Sequence, residues 1–128
     1  MNQEQIPKRA LIIGSEGQDG RLLSNHLQTL GYSLLKLGRK SLQSTEGSHW
    51  SGPVDVLNPS DMAGLIGDYQ PQEVYYLAAY HHSSEEKTPN QTEHYKMSFN
   101  VNMHGVVNTL EAIRTRSSQT RFFYASSS

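Results

Sequence analysis

The 128 residues carry 11 basic and 12 acidic side chains and no cysteine, for a net charge of −1. That length holds one domain with its own core, and the charge balance lacks the basic excess that nucleic acid or an anionic membrane surface calls for. The missing thiols exclude disulfides, thiolate metal centres and a cysteine nucleophile. No apolar run reaches membrane-spanning length. The polar opening from Met1 to Arg9, with Pro7 in it, lacks the apolar centre of a signal peptide, so a soluble cytoplasmic protein is expected.

Ala10 to Ile13 is a short apolar run closed by Gly14, the pattern of a buried parallel strand. After Gly20 the period changes: Leu23, Leu27 and Leu30 recur at helical spacing, and Gly31 stands where a C-terminal cap glycine belongs. Tyr32 to Leu37 reads as a second strand, and the polar stretch from Gly38 to Pro53 as a long surface loop. Val54 to Leu57 is expected to be a third strand. Asn58 is placed to cap a helix whose first residue is Pro59; Met62, Leu65, Ile66 and Tyr69 mark its buried face and Pro71 its end. Glu73 to Ala79 reads as strand four and His81 to Thr92 as an irregular polar segment. The next helix carries Phe99, Met103, Val106, Leu110 and Ile113 four and three apart, a stripe expected in the core, and Arg121 to Ala125 is strand five. Strands alternating with helices imply βαβ units with right-handed crossovers. The expected fold class is therefore α/β, a Rossmann-type doubly wound sheet of five parallel strands in the order 3-2-1-4-5, ending after the fifth. Residues 1–8 are expected to be a disordered tail and 9–128 one dinucleotide-binding domain.

The candidate site begins at Gly14-Ser15-Glu16-Gly17-Gln18-Asp19-Gly20, a G-x-x-G-x-x-G run between an expected strand and an expected helix. In that context Gly14 permits a tight turn, Gly17 lets backbone approach a pyrophosphate, and Gly20 lets helix and strand pack closely. The N–H groups that open the helix, Gln18 and Asp19 among them, then face the phosphates. An NAD-selective site places a carboxylate at the end of strand two to accept from the ribose 2′-hydroxyl. Here the chain reads Leu37-Gly38-Arg39-Lys40-Ser41, with no carboxylate until Glu46. Arg39 suits a 2′-phosphate, so NADP is expected in preference to NAD. His81, His82, Glu85 and Glu86 share one polar loop without a fixed scaffold, and no metal site is expected.

Taken in order, these segments resemble the extended branch of the short-chain dehydrogenase/reductases, the sugar-nucleotide epimerases and dehydratases, and within it the GDP-mannose 4,6-dehydratase subfamily. The resemblance is carried by Ala10-Leu11-Ile12-Ile13-Gly14 with Gly17-Gln18-Asp19-Gly20-Arg21, by Asp55-Val56, by Leu77-Ala78-Ala79, by Asn102 to Ala112 (NMHGVVNTLEA), and by Tyr124-Ala125-Ser126-Ser127-Ser128. It runs nearly the whole chain from Arg9 onward. It implies that Asp55 and Val56 touch adenine and that Leu77, Ala78 and Ala79 line the cofactor. It also implies that His82 and Asn102 lie on the substrate side and that Ser127 hydrogen-bonds the sugar as a catalytic residue. Tyr76 and Tyr80 depart from it, standing where the family has Asn or Gly, and Gln.

The activity so implied is oxidation of a nucleotide-bound hexose at C4 with NADP and elimination of water across C5 and C6. A sugar-nucleotide epimerase or reductase, or a non-enzymatic NADP-binding module, is the alternative. Family members run to more than twice this length and continue into a helical Tyr-x-x-x-Lys pair and a substrate domain. One such string occurs here, Tyr32 to Lys36, but it falls on a strand, where residues four apart lie about 13 Å from each other; the pair needs a helix, where they stack. Turnover from residues 1–128 alone is not expected. The expected partners are a nucleotide sugar and further copies of the chain, with neither nucleic acid nor membrane.

Overall fold

A computed structural model describes residues 6–38, 42–44, 54–77 and 91–125, and in it the apolar runs pair into one five-stranded sheet. β1 (Arg9–Ile13) lies at the centre, flanked by β2 (Ser33–Leu37) and β4 (Glu73–Tyr76), both parallel to it. β5 (Arg121–Tyr124) extends the sheet in parallel beyond β4, and β3 (Leu42–Ser44) closes the other side, giving the order β3-β2-β1-β4-β5. A strand flanked on both sides and covered on both faces has no solvent side, which is why Ala10 to Ile13 are all buried and show no alternation. The helices divide between the faces. α1 (Gln18–Thr29) brings Leu27 onto Ala10, Ile12 and Leu34. α2 (Pro59–Tyr69) and α3 (Gln91–Arg116) bury Met62, Leu65, Ile66, Ala112 and Ile113 against Leu11, Ile13, Leu35, Leu37, Val74 and Tyr76. Gln70 joins the ends of the two helices, its amide donating to the carbonyls of Gly67 and Arg116. The sheet is thus doubly wound, as the strand–helix alternation predicts.

Two expectations are corrected. The strand beside β2 is not Val54–Leu57 but Leu42–Ser44, inside the stretch expected to be a surface loop, and it runs antiparallel to β2. Residues 55–58 spend their backbone groups locally instead. The Asp55 carboxylate accepts from Leu57 N at 2.9 Å, the Asp55 carbonyl accepts from Asn58 N at 2.9 Å, and Asp61 Oδ2 accepts from Asp55 N at 3.1 Å. Short acidic side chains that bind nearby amides compete directly with a ladder, and here they win.

The second correction concerns α3. Of the expected stripe, Ile113 is buried and Val106 packs on the core, but Met103 and Leu110 are 44% and 43% exposed, and Gly105, Thr109 and Ala112 are buried in their place. The small residues go inward because Tyr76 rises from β4 to meet them: a methyl group built on Gly105 would come 3.0 Å from Tyr76 Cζ and nearer still to its hydroxyl. Phe99 and its side chain lie outside the described residues. Among the described residues no helix is long and apolar enough to cross a membrane.

The register sets up the site. Ile13 pairs with both Leu37 and Tyr76, and Tyr76 with Tyr124, so four parallel strands end in one row. Whatever follows Ile13, Leu37, Tyr76 and Tyr124 is delivered to the same carboxyl edge.

Candidate functional site

The glycine loop turns directly over the end of β2: Gly14 N donates to Leu37 O at 2.8 Å and Ser15 N to the same oxygen at 3.3 Å. Its three glycines are there for different reasons. Gly14 has φ +90°, a conformation that strains any side chain. At Gly20 a methyl group would lie 2.7 Å from Ser15 Cα and 2.8 Å from Ser15 C, so α1 meets the loop backbone with no room for Cβ. Gly17 is constrained by neither: φ is −73°, ψ is 170°, and a methyl group there would meet only Gly14 O at 3.8 Å. Among the described residues nothing demands a glycine at 17. What remains is the outside, the face from which a ligand would approach. Gly17 also opens α1 with no side-chain cap, so the first amides of the helix, with exposed Gln18 and Asp19 beside them, keep their donors.

Along the same edge, Leu77 follows β4 half-buried, its N–H on Ile13 O at 2.7 Å. The turn at Asp55 and Val56 packs on the other core cluster, with Val56 near Gly105 of α3. Asp55 is exposed, Val56 is half-buried against the core, and Asn108 of α3 donates to Val56 O at 3.0 Å. Asn102 is half-buried on α3 and by helical spacing shares the face of Gly105 and Thr109. Gly14, Gly17, Gln18, Asp19, Gly20, Asp55, Val56, Leu77 and Asn102 therefore stand at positions the structure describes. Arg39, Ala78, Ala79, His82 and Ser127, like His81, Glu85 and Glu86, lie outside the described residues. Among the described residues no three His, Asp or Glu converge as a metal would require.

Three further residues, to which sequence reasoning gave no role here, shape this edge. Asn108 anchors the Asp55–Val56 turn. Tyr76 fills the space beneath Gly105 and Val56, and burial, then the nearby Tyr124, push its hydroxyl up to about 12, so it stays protonated and packs rather than titrates. Glu16 lays its side chain over Gly38: a methyl group there would come 2.6 Å from Glu16 Cδ. Of the three, Asn108 had a signal in the sequence as part of NMHGVVNTLEA, and Tyr76 as a departure from the residues the family has there.

The Tyr-x-x-x-Lys string starts at the opposite edge and runs along β2, with Tyr32 just before the strand and Lys36 near its carboxyl end. Tyr32 donates to Glu73 Oε2 at 3.0 Å and Tyr75 to Glu73 Oε1 at 2.7 Å, with the Tyr75 ring stacked on Phe123 at 4.8 Å. Desolvation, then the bond to Glu73, raise the Tyr32 hydroxyl above the ordinary phenol range. Tyr32 is held as a neutral donor across the sheet from the glycine loop, and Lys36 lies on β2. Strand geometry holds the two apart, and the raised Tyr32 hydroxyl stays protonated.

A family model described as the NAD dependent epimerase/dehydratase family matches residues 10–128. The chain belongs to this family. GDP-mannose 4,6-dehydratase of Yersinia enterocolitica is 30% identical to the epimerase/dehydratase chain, over 94% of the chain and 36% of that protein. Among solved structures, UDP-glucose 4-epimerase from Brucella ovis, in complex with NAD, superposes with a TM-score of 0.70 at 20% identity, covering 93% of this chain and 35% of that one. dTDP-4-dehydrorhamnose reductase from Bacillus anthracis, in complex with NADP, superposes with a TM-score of 0.68 at 18% identity, covering 94% and 36%. At these identities the structural likeness speaks for the fold. The chain spans about a third of the length of these relatives.

Proposed function

We propose that residues 9–128 form the nicotinamide-dinucleotide-binding portion of a nucleotide-sugar enzyme, of the kind that oxidises a hexose at C4 and eliminates water across C5 and C6. The observation that carries the reading is Gly17. It is a glycine that the protein's own packing does not require, at the uncapped start of α1, on the edge where four strands end together. A pyrophosphate has both the size and the charge to use that space and those amides. The dinucleotide, when bound, supplies the hydride chemistry; the chain supplies position. In this reading Gly14, Gly17, Gln18, Asp19 and Gly20 form the phosphate cradle, Asp55 and Val56 meet adenine, and Leu77, Ala78 and Ala79 line the nicotinamide side. His82, Asn102 and Ser127 face the sugar, with the Ser127 hydroxyl on the substrate. Assembly into homo-oligomers belongs to the same reading.

The dehydratase assignment is supported by the 30% identity to a GDP-mannose 4,6-dehydratase. The epimerase and reductase among the structural neighbours keep a second reading open. A product that retains all the oxygens of its sugar substrate would favour that second reading. Arg39, taken alone, favours NADP, since a guanidinium matches a 2′-phosphate. The first test is direct titration of NADH and NADPH into the purified chain. Saturable binding that Gly17→Val removes is expected; binding that survives this substitution would place the phosphates elsewhere. Binding without turnover of GDP-mannose is expected from residues 1–128, whose only Tyr-x-x-x-Lys string is Tyr32 to Lys36.

A further inference from the structure

We propose that Asn108 is a positioning residue for the dinucleotide: by holding Val56 O it fixes the Asp55–Val56 turn, and so governs how well the site tells adenine from hypoxanthine. The proposal rests on the dinucleotide reading above, in which Asp55 and Val56 meet adenine, and deepens it by naming what sets their place. These two residues are not in the sheet, so no ladder fixes their position. The turn closes on its own neighbours instead. Leu57 N donates to Asp55 Oδ1, Asn58 N donates to Asp55 O, and Asp61 Oδ2 accepts from Asp55 N. Those bonds shape the turn and tie it to the first turn of α2. The bond that carries it across to α3 runs from Asn108 Nδ2 to Val56 O, 3.0 Å long and joining positions 52 residues apart.

The support behind that amide is firm. Asn108 is half-buried beside Thr109, which is fully buried, on the stretch of α3 that comes down on Tyr76. Two helices therefore grip the turn at its two ends, α2 through Asp55 N and α3 through Val56 O. The side chain between those grips points to solvent: Asp55 is exposed and spends Oδ1 on its own turn, and among the described residues nothing donates to Oδ2. A carboxylate oxygen accepts from an amino group such as the one at the 6-position of adenine. That bond forms only where acceptor and donor are held within about 0.5 Å of the right place. Loss of the Asn108 amide keeps the local bonds of the turn and releases its distance from α3. The effect falls on recognition, through a residue that need not touch the ligand.

The experiment is equilibrium titration, followed by dinucleotide fluorescence, of NADH and of its hypoxanthine analogue. The proteins are the wild-type chain, Asn108→Ala and Asn108→Asp, with urea unfolding by circular dichroism to give the folded fraction of each. The analogue carries a keto oxygen where adenine carries the amino donor. The ratio of the two affinities therefore reads the geometry of the turn, and the amount of folded protein cancels from it. Wild type is expected to bind NADH about tenfold more tightly than the analogue, the size of one charge-assisted hydrogen bond. Asn108→Ala is expected to weaken NADH about fivefold, leave the analogue nearly unchanged, and so bring the ratio close to one. Asn108→Asp keeps the size of the side chain and replaces the donor by an acceptor, and is expected to lower the ratio at least as far. A ratio that both variants leave at the wild-type value, or failure of both to fold, makes Asn108 a contact of the fold only and overturns the proposal. Equal affinity of wild type for the two ligands overturns it as well, while the dinucleotide reading stands. Failure of wild type to bind either ligand overturns both.

Discussion

Two helices that begin near the carboxyl edge of the sheet, α1 and α2, are started in opposite ways. α2 is closed: Asn58 Oδ1 accepts from Ser60 N at 2.9 Å and Asp61 N at 3.2 Å, Pro59 removes one amide that would otherwise need a partner, and Asp61 reaches back to Asp55 N. α1 is open: its first residues follow a glycine that has no side chain with which to cap. A helix start is costly to leave unsatisfied away from water, so natural chains close most of them. Closing one and leaving the other open, on the same edge, separates the amides that hold the fold from those left to a ligand. The contrast shows where stability and binding part company in this chain.

The comparison can be broken most severely at Gly20. Replacing it by Val drives Cβ into the Ser15 backbone, which cannot yield as a side chain can. A loss of about 3 kcal/mol in urea unfolding is expected, with dinucleotide binding lost as well. Gly17→Val separates the two effects, because its backbone angles suit any residue and no protein atom is in the way. Unfolding free energy should change by less than about 1 kcal/mol while the dinucleotide titration goes flat. At the closed helix the pattern reverses: Asn58→Ala should cost about 1 kcal/mol of stability and leave dinucleotide affinity where it was. The smallest effect on stability sharpens the contrast furthest. Gly17→Ser gives α1 the cap that α2 has, which should alter stability by only about 0.3 kcal/mol, yet weaken dinucleotide binding because the new hydroxyl competes for the same amides. Unchanged affinity in Gly17→Ser would mean that the open start of α1 is not where the phosphates sit.

Much of this was legible in the chain itself, because the signals are local. The run from Ala10 to Gly14, the Asn58-Pro59 start and the pattern Met62, Leu65, Ile66, Tyr69 each specify their element within a few residues, and the structure places β1 and α2 accordingly. The third strand was not legible, since Val54 to Val56 look like a strand until the acidic side chains of Asp55 and Asp61 are given their backbone partners. Leu42–Ser44 carries no period of its own and is a strand only because the open side of β2 accepts it. The buried face of α3 was read correctly at Val106 and Ile113 and wrongly at Met103 and Leu110, because size was read as depth; how close the helix comes is set by Tyr76, a residue of another element. Within the site, the glycine loop could be read from spacing. The meeting of Glu16 with Gly38 could not, because it depends on the parallel register of β1 and β2 and on two amides converging on Leu37 O.

Tyr76 and Gly105 constrain each other through their contact. The phenol occupies the volume that any side chain at 105 would need, and Val56 lies 3.5 Å from the same point. Neither position can drift by itself. Growth at 105 must await the loss of the ring, and loss of the ring leaves a void that only growth at 105, or a shift of α3, can fill. Asn108, which holds the Asp55–Val56 turn, rides on the same helix. An exchange at this one seat would thus be felt at the adenine end of the proposed cofactor site, although neither partner of the exchange need touch the cofactor.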